Sequence, residues 1–208
     1  MYIQYGNRSA ELGGVTHVEA IADKQRGPTC GFEAVENVIQ LYRPEDNDLI
    51  HTDLIPRARS YGFLQGTSAG PMLQVRGYRQ ILADYYIPSK WEDFAPFRVL
   101  VPALRQNRVA LAIVDAHHLD SAMYPRRPSL HAIVITNFVT DASDRKLWGF
   151  TGTDSNVEGE LAWHHEEIAR AIKAVRPQPK LLVTETPSNW RSRADHYRRM
   201  PDGTFVAV

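Results

Sequence analysis

A chain of 208 residues with a single cysteine, Cys30, can form no disulfide within itself and no multi-cysteine zinc site. It also lacks net charge: 24 Lys and Arg balance 24 Asp and Glu, so nothing in the balance favours nucleic acid or a membrane surface as a partner. No apolar run approaches the roughly 18 residues a membrane span needs. The N-terminus, Met-Tyr-Ile-Gln-Tyr-Gly-Asn-Arg, has no basic segment leading into an apolar one, so no secretory signal is visible. The expected location is therefore the cytoplasm, or a destination reached without a cleavable signal. Repeats and low-complexity tracts are absent. Ser68, Ser129 and Ser155 have no Gly-x-Ser-x-Gly setting, which argues against a serine hydrolase. The Gly66–Gly70 stretch lacks the Lys-Ser/Thr of a phosphate loop.

What is present is ordinary for a globular chain: 43% hydrophobic and 23% charged residues, enough for one substantial core. The sequence divides into a domain over 1–186 and a polar C-terminal arm over 187–208 carrying Arg191, Arg193, Arg198 and Arg199. Within the domain, Thr16–Ile21 is the best early strand candidate. Helical spacing runs from Thr29 to Tyr42, weakly over Leu49–Tyr61, and again through Met72, Val75, Tyr78, Ile81, Leu82 and Tyr85, where Pro71 suits a first turn. Gly62–Gly70 reads as loop. Val99–Asn107 is a further short helix and Glu166–Val175 another. Strands are expected at Trp91–Phe94, Val109–Val114, Leu130–Phe138, Lys146–Gly152, Leu161–Trp163 and Leu181–Thr184, with Asp141–Arg145 turning the third into the fourth as a hairpin. Asp115–Ser129 is a long loop, of the kind that in a compact domain carries function. Helices dominate the first half and strands the second, which gives an α+β class with helices packed on an antiparallel sheet.

The cysteine sits where Gly27-Pro28-Thr29 gives way to a helix whose buried stripe is Phe32, Val35, Val38, Ile39 and Tyr42. The first turn of a helix offers free N–H groups and the positive end of the macrodipole, both of which favour a thiolate. Thr29 is the expected cap. Gln25, just upstream, has an amide able to donate to an oxyanion formed on a carbonyl under attack. A lone cysteine in such a chain is more often a small buried hydrophobe, so position alone does not decide.

A hundred residues on, His131 opens the Leu130–Phe138 strand and Asp154 follows the next one, in Phe-Thr-Gly-Thr-Asp-Ser. In a hairpin the start of one strand lies beside the end of its partner, so His131 and Asp154 become neighbours. If the cysteine helix docks at that edge, a nucleophile, a base, a group orienting the base and an oxyanion donor meet. Taken singly, His131 reads as a core or surface histidine, Asp154 as a turn former and Gln25 as uninformative. It is their chain order that carries the reading.

These motifs, Gln25…Cys30-Gly31 at a helix start, Leu130-His-Ala-Ile-Val-Ile on a strand and Gly152-Thr-Asp154 after the next, resemble papain-like cysteine peptidases. The nearer likeness is to the bacterial double-glycine, bacteriocin-processing branch, and it covers roughly residues 20–185. Gln25 stands five residues before Cys30, one fewer than in that branch. The resemblance implies a papain-like fold with the cysteine helix on a C-terminal antiparallel sheet. It also implies a peptidase without a cofactor, with Cys30 as nucleophile, His131 as general base and acid, Asp154 as orienting carboxylate and Gln25 as oxyanion donor. Cleavage after glycine is the branch's habit. With no transporter part, such a peptidase reads as a bacterial effector or toxin acting in a target cell on a protein or peptide, with a cognate inhibitor or immunity protein as partner.

Thioester chemistry on the same residues also serves glutamine deamidation, transglutamination and amide hydrolysis, and an inactive homologue would bind a peptide in the same cleft. His117 and His118 beside Asp115 invite a metal reading, but adjacent residues point apart. His164 and His165, before Glu166 and Glu167, read as surface. Trp148, Trp163, Tyr85 and Tyr86 read as core or cleft wall.

Overall fold

The computed structural model describes residues 2–5, 8–11, 29–46, 48–67, 70–119, 124, 129–156, 160–175, 180–188 and 197–207. The Thr16–Ile21 segment and Gln25 lie outside these.

The apolar run at 109–114 explains the architecture. In strand β6 (Ala110–Asp115) and the residue before it, Val109, Leu111 and Ile113 pack into one hydrophobic cluster, while Ala110, Ala112 and Val114 pack into a second. The same alternation runs through β7 (Leu130–Asp141), with Ala132 and Val134 on one side and Ile133 and Ile135 on the other, and through β10 (Lys180–Thr184). A strand buried on both faces needs apolar side chains at every position, so its sequence shows a run and not an alternation.

One face is covered by helix α1 (Cys30–Tyr42), by the π-helical turn Ile50–Leu54 running into α2 (Ile55–Ser60), and by α3 (Val75–Asp84). The other is covered by a π-helical turn at Pro96–Leu100 running into α4 (Val101–Arg105), and by α5 (His165–Ala174). The fold is thus α+β, with helices on both faces of the sheet.

The sheet order is β2-β1-β9-β8-β7-β6-β10-β5, with β1 at Tyr2–Tyr5, β2 at Arg8–Glu11, β5 at Ser89–Asp93, β8 at Leu147–Asp154 and β9 at Glu160–His164. Its centre is antiparallel, as expected. Two additions make it mixed: β1 runs parallel to β9, and β11 (Tyr197–Arg199) runs parallel to β7 and pairs with β12 (Phe205–Ala207). Where it is described, the expected polar arm is therefore paired strand. Tyr197 and Phe205 are buried, and Phe205 meets the Trp148 ring edge-on at 5.1 Å between centroids. The four arginines of the segment hide these two anchors in a reading of composition.

Three further expectations change. Gly62–Gly70 is not plain loop: β3 (Leu64–Thr67) pairs antiparallel with β4 (Gly70–Leu73) in a separate two-stranded hairpin, and β4 packs on α1. Pro71 belongs to β4, and α3 starts only at Val75. A two-stranded ribbon has open edges, where a missing N–H costs nothing. Tyr85 is buried while Tyr86 is 88% exposed at φ 61°, so only the first of that pair is core.

The β7–β8 hairpin carries the candidate site. Its register shifts between Ile135 and Asn137 and again between Val139 and Thr140. At Gly152 the β7 backbone comes so near that an added Cβ would lie 1.8 Å from the Val134 carbonyl oxygen. Only glycine fits there, two residues before Asp154.

Candidate active site

Cys30 is the first residue of α1 and is half-buried. The Thr29 carbonyl accepts from the N–H groups of Phe32 and Glu33, at 2.7 and 2.9 Å. The Thr29 hydroxyl does not cap the helix as expected; it donates to Glu33 Oε1 at 3.2 Å. Helical geometry leaves the N–H groups of Cys30 and Gly31 without an intrahelical acceptor, so the backbone beside the sulfur can receive an anion. Gly31 is required by Tyr78 of α3, whose hydroxyl oxygen would stand 2.5 Å from a Cβ at position 31. Burial first, and then the Cys30 charge, push the Tyr78 hydroxyl far above its ordinary pKa, so it remains a neutral O–H beside the cysteine. Farther along α1, Asn37 Nδ2 donates to Thr153 Oγ1 at 3.1 Å, pinning the helix to β8 next to Asp154.

His131 and Asp154 meet as the hairpin argument expects. The register opposes Ile133 to Asp154, so the carboxylate lies on the diagonal from His131. His131 Nε2 donates to Asp154 Oδ1 at 2.7 Å, with both side chains almost completely buried. Cys30 stands close enough to the His131 ring to act on its charge. Nε2 is committed to the carboxylate, so Nδ1 is the nitrogen left for the sulfur. Burial disfavours a charged imidazole, but the hydrogen bond to Asp154 and the charges of Asp154 and Cys30 outweigh it and push the His131 pKa up to about 10. The three side chains from distant segments thus form one chain: sulfur, imidazole, carboxylate. Gln25 lies outside the described residues, so its oxyanion role remains an expectation.

Three partners of this chain were not legible from motif spacing. Asp154 Oδ1 accepts a second bond, from the Asn156 backbone N–H at 2.7 Å. The Asn156 side-chain amide lies 3.2 Å from His131 Nε2. With Nε2 carrying the proton, the amide oxygen is the atom that suits that contact. Tyr124, from the middle of the long loop, donates its hydroxyl to Asp154 Oδ2 at 2.5 Å. A tyrosine flanked by Met123 and Pro125, with no periodic pattern, gives no sequence signal for this.

The other candidates disperse. Asp115 Oδ1 accepts from the N–H groups of His117 and Ser129, at 3.2 and 2.9 Å, and so closes the base of the loop. The His117 and His118 rings meet edge-on at 5.3 Å. Among the described residues no three His, Cys, Asp or Glu side chains converge as a metal site requires. His164 caps α5, its Nδ1 accepting from the Glu166 N–H at 3.4 Å while Glu167 Oε2 accepts from the His164 N–H at 2.9 Å. Trp148 and Trp163 are buried, as expected of core.

Such a chain can hold a thiolate against an imidazolium, attack an electrophilic carbon and return a proton to a leaving group. No helix among the described residues is long and apolar enough to cross a membrane. Comparison with known proteins leaves the chemistry to speak for itself: no family model and no curated protein matches the chain.

Proposed function

We propose that this chain is a papain-like thiol hydrolase, a cysteine peptidase acting on a protein or peptide. The observation that supports this reading most is the continuous Cys30–His131–Asp154 arrangement, with Nε2 on the carboxylate and Nδ1 free for the sulfur. The Cys30 thiolate attacks the peptide carbonyl carbon. The oxyanion takes donors from the first turn of α1 and, in the expected arrangement, from Gln25. The imidazolium gives its Nδ1 proton to the amine, the C–N bond breaks and a thioester remains. The neutral imidazole then takes a proton from water, the hydroxide attacks the thioester carbonyl, and the thiolate leaves. The ion pair is restored. Asp154 stays ionised throughout and holds the ring. Tyr124 and the β3–β4 hairpin stand on the substrate side in this reading. Delivery as a bacterial effector or toxin, with a cognate inhibitor, belongs to the same proposal.

Treatment of a peptide mixture with wild type, Cys30→Ala and His131→Ala, followed by mass spectrometry of N-termini, tests the reading. New N-termini are expected with wild type alone, with the rate in His131→Ala down by about 10³-fold or more. Glutamines converted to glutamates without new N-termini would reassign the chemistry to deamidation. No Cys30-dependent product of any kind would end the enzymatic reading.

A further inference from the structure

The loop tyrosine deepens that reading and rests on it. Tyr124 is 7% exposed, and its ring meets the His131 ring edge-on at 6.2 Å between centroids. Its hydroxyl donates to Asp154 Oδ2 at 2.5 Å, and the indole of Trp163, which can only donate, acts on the phenol from the same core. A line of hydrogen bonds therefore runs from Tyr124 through Asp154 to His131, with Cys30 beyond the ring. We propose that Tyr124 is a positioning residue of the site, which holds Asp154 so that Oδ1 faces His131 and Nδ1 of the ring faces the sulfur.

The geometry gives the reason. A carboxylate turning about its Cβ–Cγ bond would carry Oδ1 away from Nε2. Oδ1 is held by the His131 ring and the Asn156 N–H, and Oδ2 by Tyr124, so both oxygens are clamped. The titratable groups around Tyr124 are Asp154, His131 and, from α5, Glu167, whose charge also keeps the phenol protonated. The proton on Oη is thus permanent, and Tyr124 itself takes no part in proton transfer.

Alkylation of Cys30 by iodoacetate tests this without a known substrate. The anion reacts fastest when the thiolate is paired with an imidazolium, so the rate traces a bell whose alkaline limb reports His131. Tyr124→Phe keeps the ring and removes the donor. The expected result is a rate lower by roughly tenfold at the optimum, with the alkaline limb displaced and a far-ultraviolet dichroism spectrum like wild type. Trp163→Phe, which removes the indole donor that acts on the phenol, is expected to move the profile in the same sense by less. A Tyr124→Phe profile superimposable on a bell-shaped wild-type profile would overturn the positioning role alone. If that variant fails to fold, an unmoved Trp163→Phe profile overturns it in the same way. A wild-type rate no greater than that of free cysteine below neutral pH would overturn both this role and the thiol-hydrolase reading.

Discussion

Asp154 and Glu160 are two carboxylates at the ends of neighbouring strands, each about 1% exposed, on opposite faces of one sheet. Asp154 shares its face with Ile133 and with the core that includes Tyr124 and Trp163. Glu160 opposes Thr153 across β8 and β9, and so looks the other way. Their partners differ in kind. Asp154 has a titratable base, His131, along with two donors that cannot lose a proton in the working range. Glu160 has hydroxyl and amide groups: Thr151 donates to Oε1 at 2.5 Å, Tyr197 of β11 to Oε2 at 3.2 Å, and Thr136 and Asn137 contribute further bonds. Burial drives Glu160 upward, the hydroxyl and amide donors restrain it only in part, and its pKa is pushed up to about 7. A buried carboxylate given a base becomes part of a reacting set. One given only neutral donors becomes a joint, here between β9 and the C-terminal strand.

The change expected to break both sides at once is Gly152→Ala. Residue 152 lies on β8 between Asp154 and Thr151, the donor to Glu160, where the Val134 carbonyl leaves no room for a Cβ. The strand must move off β7, taking Asp154 from His131 and Thr151 from Glu160. A loss on the order of 4 kcal/mol is expected, because backbone cannot swing aside as a side-chain end can. Urea denaturation measures it. A variant within about 1 kcal/mol of wild type would mean that the close approach carries no energetic weight.

Asp154→Asn separates the two carboxylates. It keeps shape and removes the anion that raises His131. The alkaline limb of Cys30 alkylation by iodoacetate is expected to fall by about two pH units or more. The pH dependence of unfolding between pH 4.5 and about 6.5, which belongs to Glu160, is expected to stay. An alkaline limb that does not move would show that Cys30 alone sets the His131 titration.

How far the sequence carried this site depends on what each residue needed. Cys30, His131 and Asp154 were legible because each stands at the end of a regular element, and hairpin pairing fixes which ends meet. The elements themselves were mostly legible, since Val35, Val38 and Ile39 or Ile133 and Ile135 repeat with helical or strand period. The second helical layer was not: α4 and α5 are short, and nothing local says which face of a sheet a helix will cover. Nor were Tyr124 and Trp163 legible as a pair, because a loop residue and a core tryptophan are joined only by tertiary packing. Tyr197 and Phe205 were hidden by the arginines around them. Glu160 went unread, since one acid at a strand start looks like any solvated turn.

Glu160→Gln tests the joint. In the unfolded chain the carboxyl titrates near its ordinary value of 4.5, and in the fold near 7. Below 4.5 it is protonated in both states, and its contribution to stability is fully present. As pH rises toward 7 the unfolded chain releases its proton while the folded chain holds on to it, so stability falls, and above about 7 the loss is complete. The gap corresponds to roughly 3–4 kcal/mol. Glutamine stays neutral throughout, so the variant is expected to lose this slope between pH 4.5 and 7 in urea titrations and to match or exceed wild type above pH 7. Its amide must place an N–H where Oε1 or Oε2 now accepts, which the rotatable hydroxyls of Thr151 and Tyr197 can accommodate by turning. Cys30 alkylation should not change, because the partners described for Glu160 are Thr136, Asn137, Thr151 and Tyr197, on the face away from His131. A variant with the wild-type slope between pH 4.5 and 7 would show that Glu160 does not carry that pH dependence, since His131 acts only above about 6.5, and the contrast between the two carboxylates would then fail.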